Sequence, residues 1–268
     1  MRAPAPAKIN LALVVGPLRD DGKHEVLTVY QRLGIADRIE LDVSASLSVW
    51  GFRGDTLVRG ALEKLAVQAG VAPGWRVQIE KRLPVAAGVG GGSSDAATAL
   101  RLANATLAQP VDLHPIAASI GADVPFFLAD GPQLGAGDGT TLTPLDLPQD
   151  YWVVLVVPRA VQKPSTASVY AAFDARDGAA GWEERRTAVL DALEHVRRPR
   201  DLAALPPNDL VSSPLADELR ALGAFRADVS GAGPAVYGLF HHEAAAKAAK
   251  RALKLAGDTW LTAPAWYG

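Results

Sequence analysis

Ile9, Leu11, Leu13 and Val15 alternate with Lys8, Asn10, Ala12 and Val14, a period-two pattern that predicts a strand with one apolar face. Lys8 and Asn10 then share the opposite face. Residues 35–43 and 75–81 alternate in the same way and predict two more strands. Leu57, Ala61, Leu62, Leu65 and Ala69 recur at helical spacing up to Gly70, and Ala96, Ala99, Leu100 and Ala103 predict a second helix. Further on, the pattern predicts a strand over 151–157, a helix over 188–196, a strand–turn–strand over 225–240 and a helix over 243–255. Strands interspersed with helices, without an internal repeat, imply layered α and β structure. A compositional break at Leu147-Pro148-Gln149-Asp150 predicts two lobes, 1–148 and 149–268.

Composition narrows the function classes. The 268 residues suffice for one or two domains, and a formal charge of −2 from 27 basic and 29 acidic side chains offers no global attraction for nucleic acid. With no cysteine, disulfides, thiolate catalysis and cysteine-held metals are excluded. None of the five histidines stands in a His-Glu-x-x-His arrangement, and adjacent His241-His242 read as a solvated helix start. The longest apolar run, Trp152 to Val157, is far short of the ~20 residues that span a bilayer and reads as a buried strand. Residues 1–8 lack an apolar signal core, so a cytoplasmic protein without a membrane partner is expected.

The most informative chemistry lies between the 75–81 strand and the 96–103 helix: Pro84-Val85-Ala86-Ala87-Gly88-Val89-Gly90-Gly91-Gly92-Ser93-Ser94, followed by Asp95. Glycine composition alone would fit a flexible linker, but strand, glycine turn and helix together are the context of a phosphate cradle. Backbone N–H groups close around the anion, and the helix start adds further donors and a positive dipole end. The common cradles do not fit. Gly16 to His24 has one residue too many for a Walker A loop and ends in the wrong side chain, and Gly88 to Ser93 puts serine where the dinucleotide fingerprint needs glycine or alanine.

Two side chains complete a phosphoryl-transfer set, which needs a cradle, a cation against developing charge, and a group that orients or deprotonates the acceptor hydroxyl. In Gly121-Ala122-Asp123-Val124-Pro125-Phe126-Phe127, Asp123 precedes a proline suited to a first helical turn. Taken alone, Asp123 reads as a helix cap and Lys8 as a solvated strand residue. Their co-occurrence with the glycine turn argues for a catalytic pair.

The glycine turn resembles the ATP-binding loop of the GHMP kinases, the galactokinase, homoserine, mevalonate and phosphomevalonate kinase superfamily. The ordered set of Pro6-Ala7-Lys8-Ile9-Asn10-Leu11, Pro84 to Ala97, Gly121 to Phe127, Pro207-Asn208-Asp209-Leu210 and Val229 to Val236 extends that resemblance over nearly the whole chain. It implies an α+β fold with two lobes, an N-terminal domain like domain 2 of ribosomal protein S5 and a ferredoxin-like C-terminal domain. It further implies that Lys8 and Asp123 are catalytic, that Pro84 through Ser94 cradle ATP, and that Asn10 approaches the acceptor. Magnesium is expected with ATP, with Ser93 or Ser94 as candidate contacts. In the branch most resembled, the acceptor is a small cytidylyl-linked sugar alcohol, and Gly-Tyr-His stacks on and reads the cytosine. Here Gly22-Lys23-His24 stands in its place. His24 matches; Lys23 offers an ammonium and an apolar stem instead of a ring, and Tyr170 is a candidate aromatic wall. The alternatives are a homoserine- or mevalonate-type kinase, or a non-catalytic nucleotide- or RNA-binding module, which would need a basic face.

Overall fold

The computed structural model describes residues 1–55, 57–159 and 165–265. In chain order the elements are β1 (Arg2–Leu18), β2 (His24–Val43), β3 (Ser48–Trp50), α1 (Leu57–Ala69), β4 (Trp75–Glu80), α2 (Gly91–Asn104), α3 (His114–Ile120), α4 (Val124–Leu128), β5 (Gln133–Ala136) and β6 (Thr141–Pro144). There follow β7 (Trp152–Pro158), α5 (Thr166–Asp174), α6 (Trp182–His195), α7 (Pro214–Ala221), β8 (Arg226–Val229), β9 (Val236–Phe240), α8 (Glu243–Ala252) and β10 (Gly257–Thr262), with short 3₁₀ turns at Pro199–Ala204 and Leu253–Leu255. The chain forms two compact units, one of residues 1–7, 35–85 and 90–130, the other of residues 8–34, 86–89 and 131–268.

In the first unit, β4 pairs antiparallel with the C-terminal half of β2, Ile39 opposite Ile79 and Leu41 opposite Val77, and β3 pairs parallel with β4. The predicted alternation of β4 is observed: Trp75, Val77 and Ile79 are buried while Arg76, Gln78 and Glu80 are exposed. α1 ends at Gly70, whose φ of +65° suits a residue without Cβ. Its buried face of Val58, Ala61, Leu62 and Leu65 packs with α2, which buries Ala96, Ala99, Leu100 and Ala103. The small alanines let the two helices approach closely, and α4 packs on α2 as well.

In the second unit, the N-terminal half of β2 pairs with β5, and β5 with β6, all antiparallel. From residue 152 onward the order is strand, helices, strand, strand, helix, strand, and the four strands pair antiparallel in the order β10-β7-β9-β8. This fourth-first-third-second arrangement is the ferredoxin-like one. Val154 and Val156 of β7, Val229 of β8, Val236 and Phe240 of β9, Leu219 of α7 and Ala246 and Ala249 of α8 form its buried core.

Three sequence expectations are corrected. β1 does not keep a solvated face: every residue from Ala5 to Gly16 is buried, including Lys8 at 3% exposure and Asn10 at 4%. β2 runs for 20 residues, so residues 35–43 are the second half of a longer strand. α6 begins at Trp182, six residues before the predicted start, because its first turn carries Glu183, Glu184, Arg185 and Arg186 and has no apolar period to read. His241-His242 do precede a helix, exposed, with His242 at the cap of α8. Among the described residues no helix is long and apolar enough to cross a membrane.

Candidate active site

In the second unit, the buried ammonium of Lys8 is fixed by a relay of hydrogen bonds. Lys8 Nζ donates to Asn10 Oδ1 at 2.7 Å, Asn10 Nδ2 donates to Thr28 Oγ1 at 2.8 Å, and Thr28 Oγ1 donates to Ala12 O at 2.8 Å. The strand alternation that puts Lys8 and Asn10 on one face makes the first of these bonds. The Tyr30 ring lies 5.7 Å from the ammonium, a cation–π contact. Thr28 and Tyr30 were not singled out in the sequence, because the N-terminal half of β2 is buried on both faces and shows no alternation.

Two glycine turns close on this relay. The segment 86–89 is anchored by its carbonyls: Ala87 O accepts from Ala235 N, Gly88 O from Ser230 Oγ and Val89 O from Lys8 N, at 2.9, 3.0 and 2.9 Å. In a planar trans peptide the N–H points opposite to the C=O, so the N–H groups of Gly88, Val89 and Gly90 face away from those anchors. Ala86, Gly88 and Gly90 all have left-handed backbone, at φ of +55°, +84° and +70°. Left-handed residues interleaved with others, as Ala86, Gly88 and Gly90 are with Ala87 and Val89, are the backbone pattern from which anion nests are made. A Cβ on Gly88 would sit 2.3 Å from Ser230 O, so only glycine fits there. The second turn brings Gly231 against Lys8: a Cβ there would lie 3.5 Å from Lys8 Nζ and 3.4 Å from Asn10 Oδ1. That turn is held by Asn208, whose Nδ2 donates to Val229 O at 3.0 Å and Gly231 O at 2.7 Å. Asp209 in turn accepts from Val15 N and Arg185 Nε, each at 2.8 Å, so the Pro207-to-Leu210 segment is a brace for β1 and the turn.

In the first unit, α2 starts at Gly91 with Gly90 in the cap position and no side-chain cap, which leaves its first turn open to an anion. The Ser94 hydroxyl and Asp95 Oδ1 are buried without a hydrogen-bond partner. A magnesium ion carried by a nucleotide takes few protein oxygens, and the orphaned Ser94 hydroxyl fits that requirement. No group of three or more acidic or histidine side chains that could hold a metal by itself occurs among the described residues. Asp95 Oδ2 faces Lys81 Nζ at 2.9 Å, and Lys81 also pairs with Asp37. Burial, reinforced by the charge of Asp37 and opposed by Lys81, pushes the Asp95 carboxyl up to about 7. Burial works against the Lys81 ammonium, yet the two carboxylates hold its pKa above the ordinary lysine value.

Asp123, also in the first unit, occupies the N-cap position of α4, but its side chain makes no capping hydrogen bond. The simple helix-cap reading therefore does not account for it.

The expected acceptor residues fall in the second unit. The His24 ring stacks on Tyr170 with centroids 5.1 Å apart and meets Phe173 edge-on at 5.8 Å. Its Nδ1 lies 2.9 Å from Gly16 O and, as donor to that carbonyl, leaves Nε2 as the nitrogen facing Asp174 Oδ1 at 3.2 Å. Tyr170 packs partly buried against the cluster of Leu13, Val15, Val26, Phe173 and Leu210. Lys23 is half-exposed and its ammonium bonds Asp138 Oδ2 at 2.5 Å. Partial burial would raise Asp138, but hydrogen bonds from Lys23 and Thr140 outweigh it and bring the carboxyl to about 2. Asp138 and Asp174 were not legible in the sequence, because nothing local marks which carboxylates meet the 22–24 turn.

Residues 56–131 match the family profile described as GHMP kinases N terminal domain, and residues 211–259 match GHMP kinases C terminal. The chain is 38% identical over 261 residues to a 4-diphosphocytidyl-2-C-methyl-D-erythritol kinase of Anaeromyxobacter sp. (strain Fw109-5), covering 92% of this chain and 84% of that protein. It is 37% identical to the enzyme of the same name from Thermus thermophilus, covering 96% and 94%. A crystal structure of 4-(cytidine 5'-diphospho)-2C-methyl-D-erythritol kinase superposes with a TM-score of 0.81 at 33% identity, over 99% of this chain and all of that one.

Proposed function

The chain belongs to the 4-diphosphocytidyl-2-C-methyl-D-erythritol kinase family of the GHMP kinases, and from that premise we propose how its residues transfer the γ-phosphoryl group of ATP to the 2-hydroxyl of that cytidylyl-linked acceptor. The reaction serves the non-mevalonate route to isoprenoid precursors, and we assign it to the cytoplasm. Asp123 accepts the hydroxyl proton as the acceptor oxygen attacks the γ-phosphorus; the bond from that phosphorus to the β,γ-bridging oxygen breaks and ADP leaves with the electron pair. Lys8, held by Asn10, offsets the negative charge that develops on the acceptor oxygen and the transferred group. Residues 84–94 bind the triphosphate through backbone N–H groups, and α2 adds its N-terminal dipole. Magnesium, when bound with ATP, supplies charge neutralisation on the phosphates, and the Ser94 hydroxyl is the oxygen this chain offers it. His24 and Tyr170 hold the cytosine, and Lys23 takes the place that a stacking ring would fill.

The observation that carries the reading is the buried Lys8 ammonium, fixed on Asn10 beside Gly231, in a unit where Gly88 also lies against Ser230. A solvated structural lysine would need neither the relay nor two close-packed glycine turns. The test is ADP release by purified protein with ATP and magnesium. Release is expected only when the cytidylyl acceptor is added, and not with mevalonate or homoserine in its place. Turnover of mevalonate or homoserine with none of the cytidylyl acceptor would overturn the assignment.

A further inference from the structure

On either side of the glycine turn, the first unit ties the backbone to one half-buried ammonium. Asp37 of β2 is fully buried; its Oδ1 accepts Arg82 N at 2.5 Å and Leu83 N at 2.8 Å, which fixes the segment leading into the turn. Asp95 lies in the opening turns of α2, the segment leading out. Lys81 joins the two, paired with Asp37 Oδ2 and 2.9 Å from Asp95 Oδ2, with the Phe52 ring 5.7 Å from its Nζ. A Cβ on Gly91 would meet Lys81 Nζ at 3.3 Å and Asp37 Oδ2 at 3.5 Å, so the first residue of α2 is packed directly on this cluster.

Two buried carboxylates around a half-buried ammonium are an expensive way to stabilise a fold, since the desolvation of buried charges commonly cancels their attraction. What the arrangement does provide is fixed geometry. Resting on the assignment of residues 84–94 to the ATP phosphates, we propose that Asp37, Lys81 and Asp95 are positioning residues for ATP, clamping the two flanks of the phosphate turn at the spacing the nucleotide needs. They act through the backbone of Arg82, Leu83 and the start of α2.

Calorimetric titration of ATP, together with steady-state kinetics, on the full-length Lys81→Met, Asp37→Asn and Lys81→Arg variants tests this. Lys81→Met and Asp37→Asn are expected to bind ATP about tenfold more weakly, the size of effect that follows from loss of one charge-assisted hydrogen bond. The KM for ATP should rise in step, with kcat at saturating ATP and the KM for the acceptor little changed. Lys81→Arg keeps the charge and should recover most of the affinity. A merely structural role would lower the active fraction, and hence kcat, without moving the KM for ATP. Unchanged ATP affinity in Lys81→Met and Asp37→Asn, or a fall in kcat alone, would overturn the proposal. Should circular dichroism show Lys81→Met unfolded, Asp37→Asn decides on the same criteria. Wild-type protein that binds ATP but does not phosphorylate the cytidylyl acceptor would sink the functional assignment and leave the affinity comparison intact.

Discussion

Asp123, at the N-cap of α4, is the general base of the proposed transfer, which gives a sharp expectation for its removal. Asp123→Asn should lose about 10²–10⁴ in kcat, the usual consequence of losing a general base, and should bind ATP normally. Single-turnover kinetics and nucleotide titration separate the two effects, and intact turnover would strip Asp123 of its role. Gly88→Ala should behave differently. Its Cβ would press to 2.3 Å from Ser230 O at a φ of +84°, so a loss of about 1–3 kcal/mol in stability is expected along with weakened ATP binding, read by denaturant unfolding and titration. Gly91 is instructive in the other direction. The glycine pattern suggests that its smallness serves the phosphate, whereas the side-chain space it would occupy belongs to Lys81 and Asp37.

At the scale of elements, the sequence pattern found strands and helices but misjudged burial where both faces of a strand are covered, and it missed helix starts that carry no apolar repeat. β4 alternates because its two faces meet different surroundings; β1 is buried on both, so its polar Lys8 and Asn10 look solvated in sequence although both are buried. α6 begins in a polar turn that carries no apolar repeat. The Pro207-to-Leu210 segment has no periodicity at all, and its work is done by long-range hydrogen bonds. Asn208→Ala should therefore cost about 1–3 kcal/mol, the penalty for leaving the buried carbonyls of Val229 and Gly231 without their donor. Loosening of the 230–234 turn should appear as faster amide exchange there. Exchange unchanged from wild type would mean that the turn holds itself.

For the whole molecule, pH reports which buried charges the fold carries. Asp95 has its folded pKa raised to about 7 from an ordinary 3.8, so its contribution to stability is fully present below about pH 4 and is lost as pH rises through 7. Asp138, lowered to about 2 chiefly through Lys23 and Thr140 against partial burial, acts in the opposite sense: its contribution holds above about pH 4 and is lost as pH falls toward 2. Melting temperatures measured between pH 5 and 8.5 should fall up to about pH 7 and then level off, and Asp95→Asn should flatten that fall; an identical slope below pH 7 in the variant would refute the assignment. The sequence by itself determined the family, the glycine cradle and the candidate side chains, because those depend on residue type at short spacing: left-handed backbone needs glycine, and a two-residue period puts Lys8 beside Asn10. Only the tertiary structure decided which carboxylates face Lys81, which carbonyls Asn208 satisfies and that Lys8 is buried, since each depends on segments tens to hundreds of residues apart, whose meeting no local pattern records.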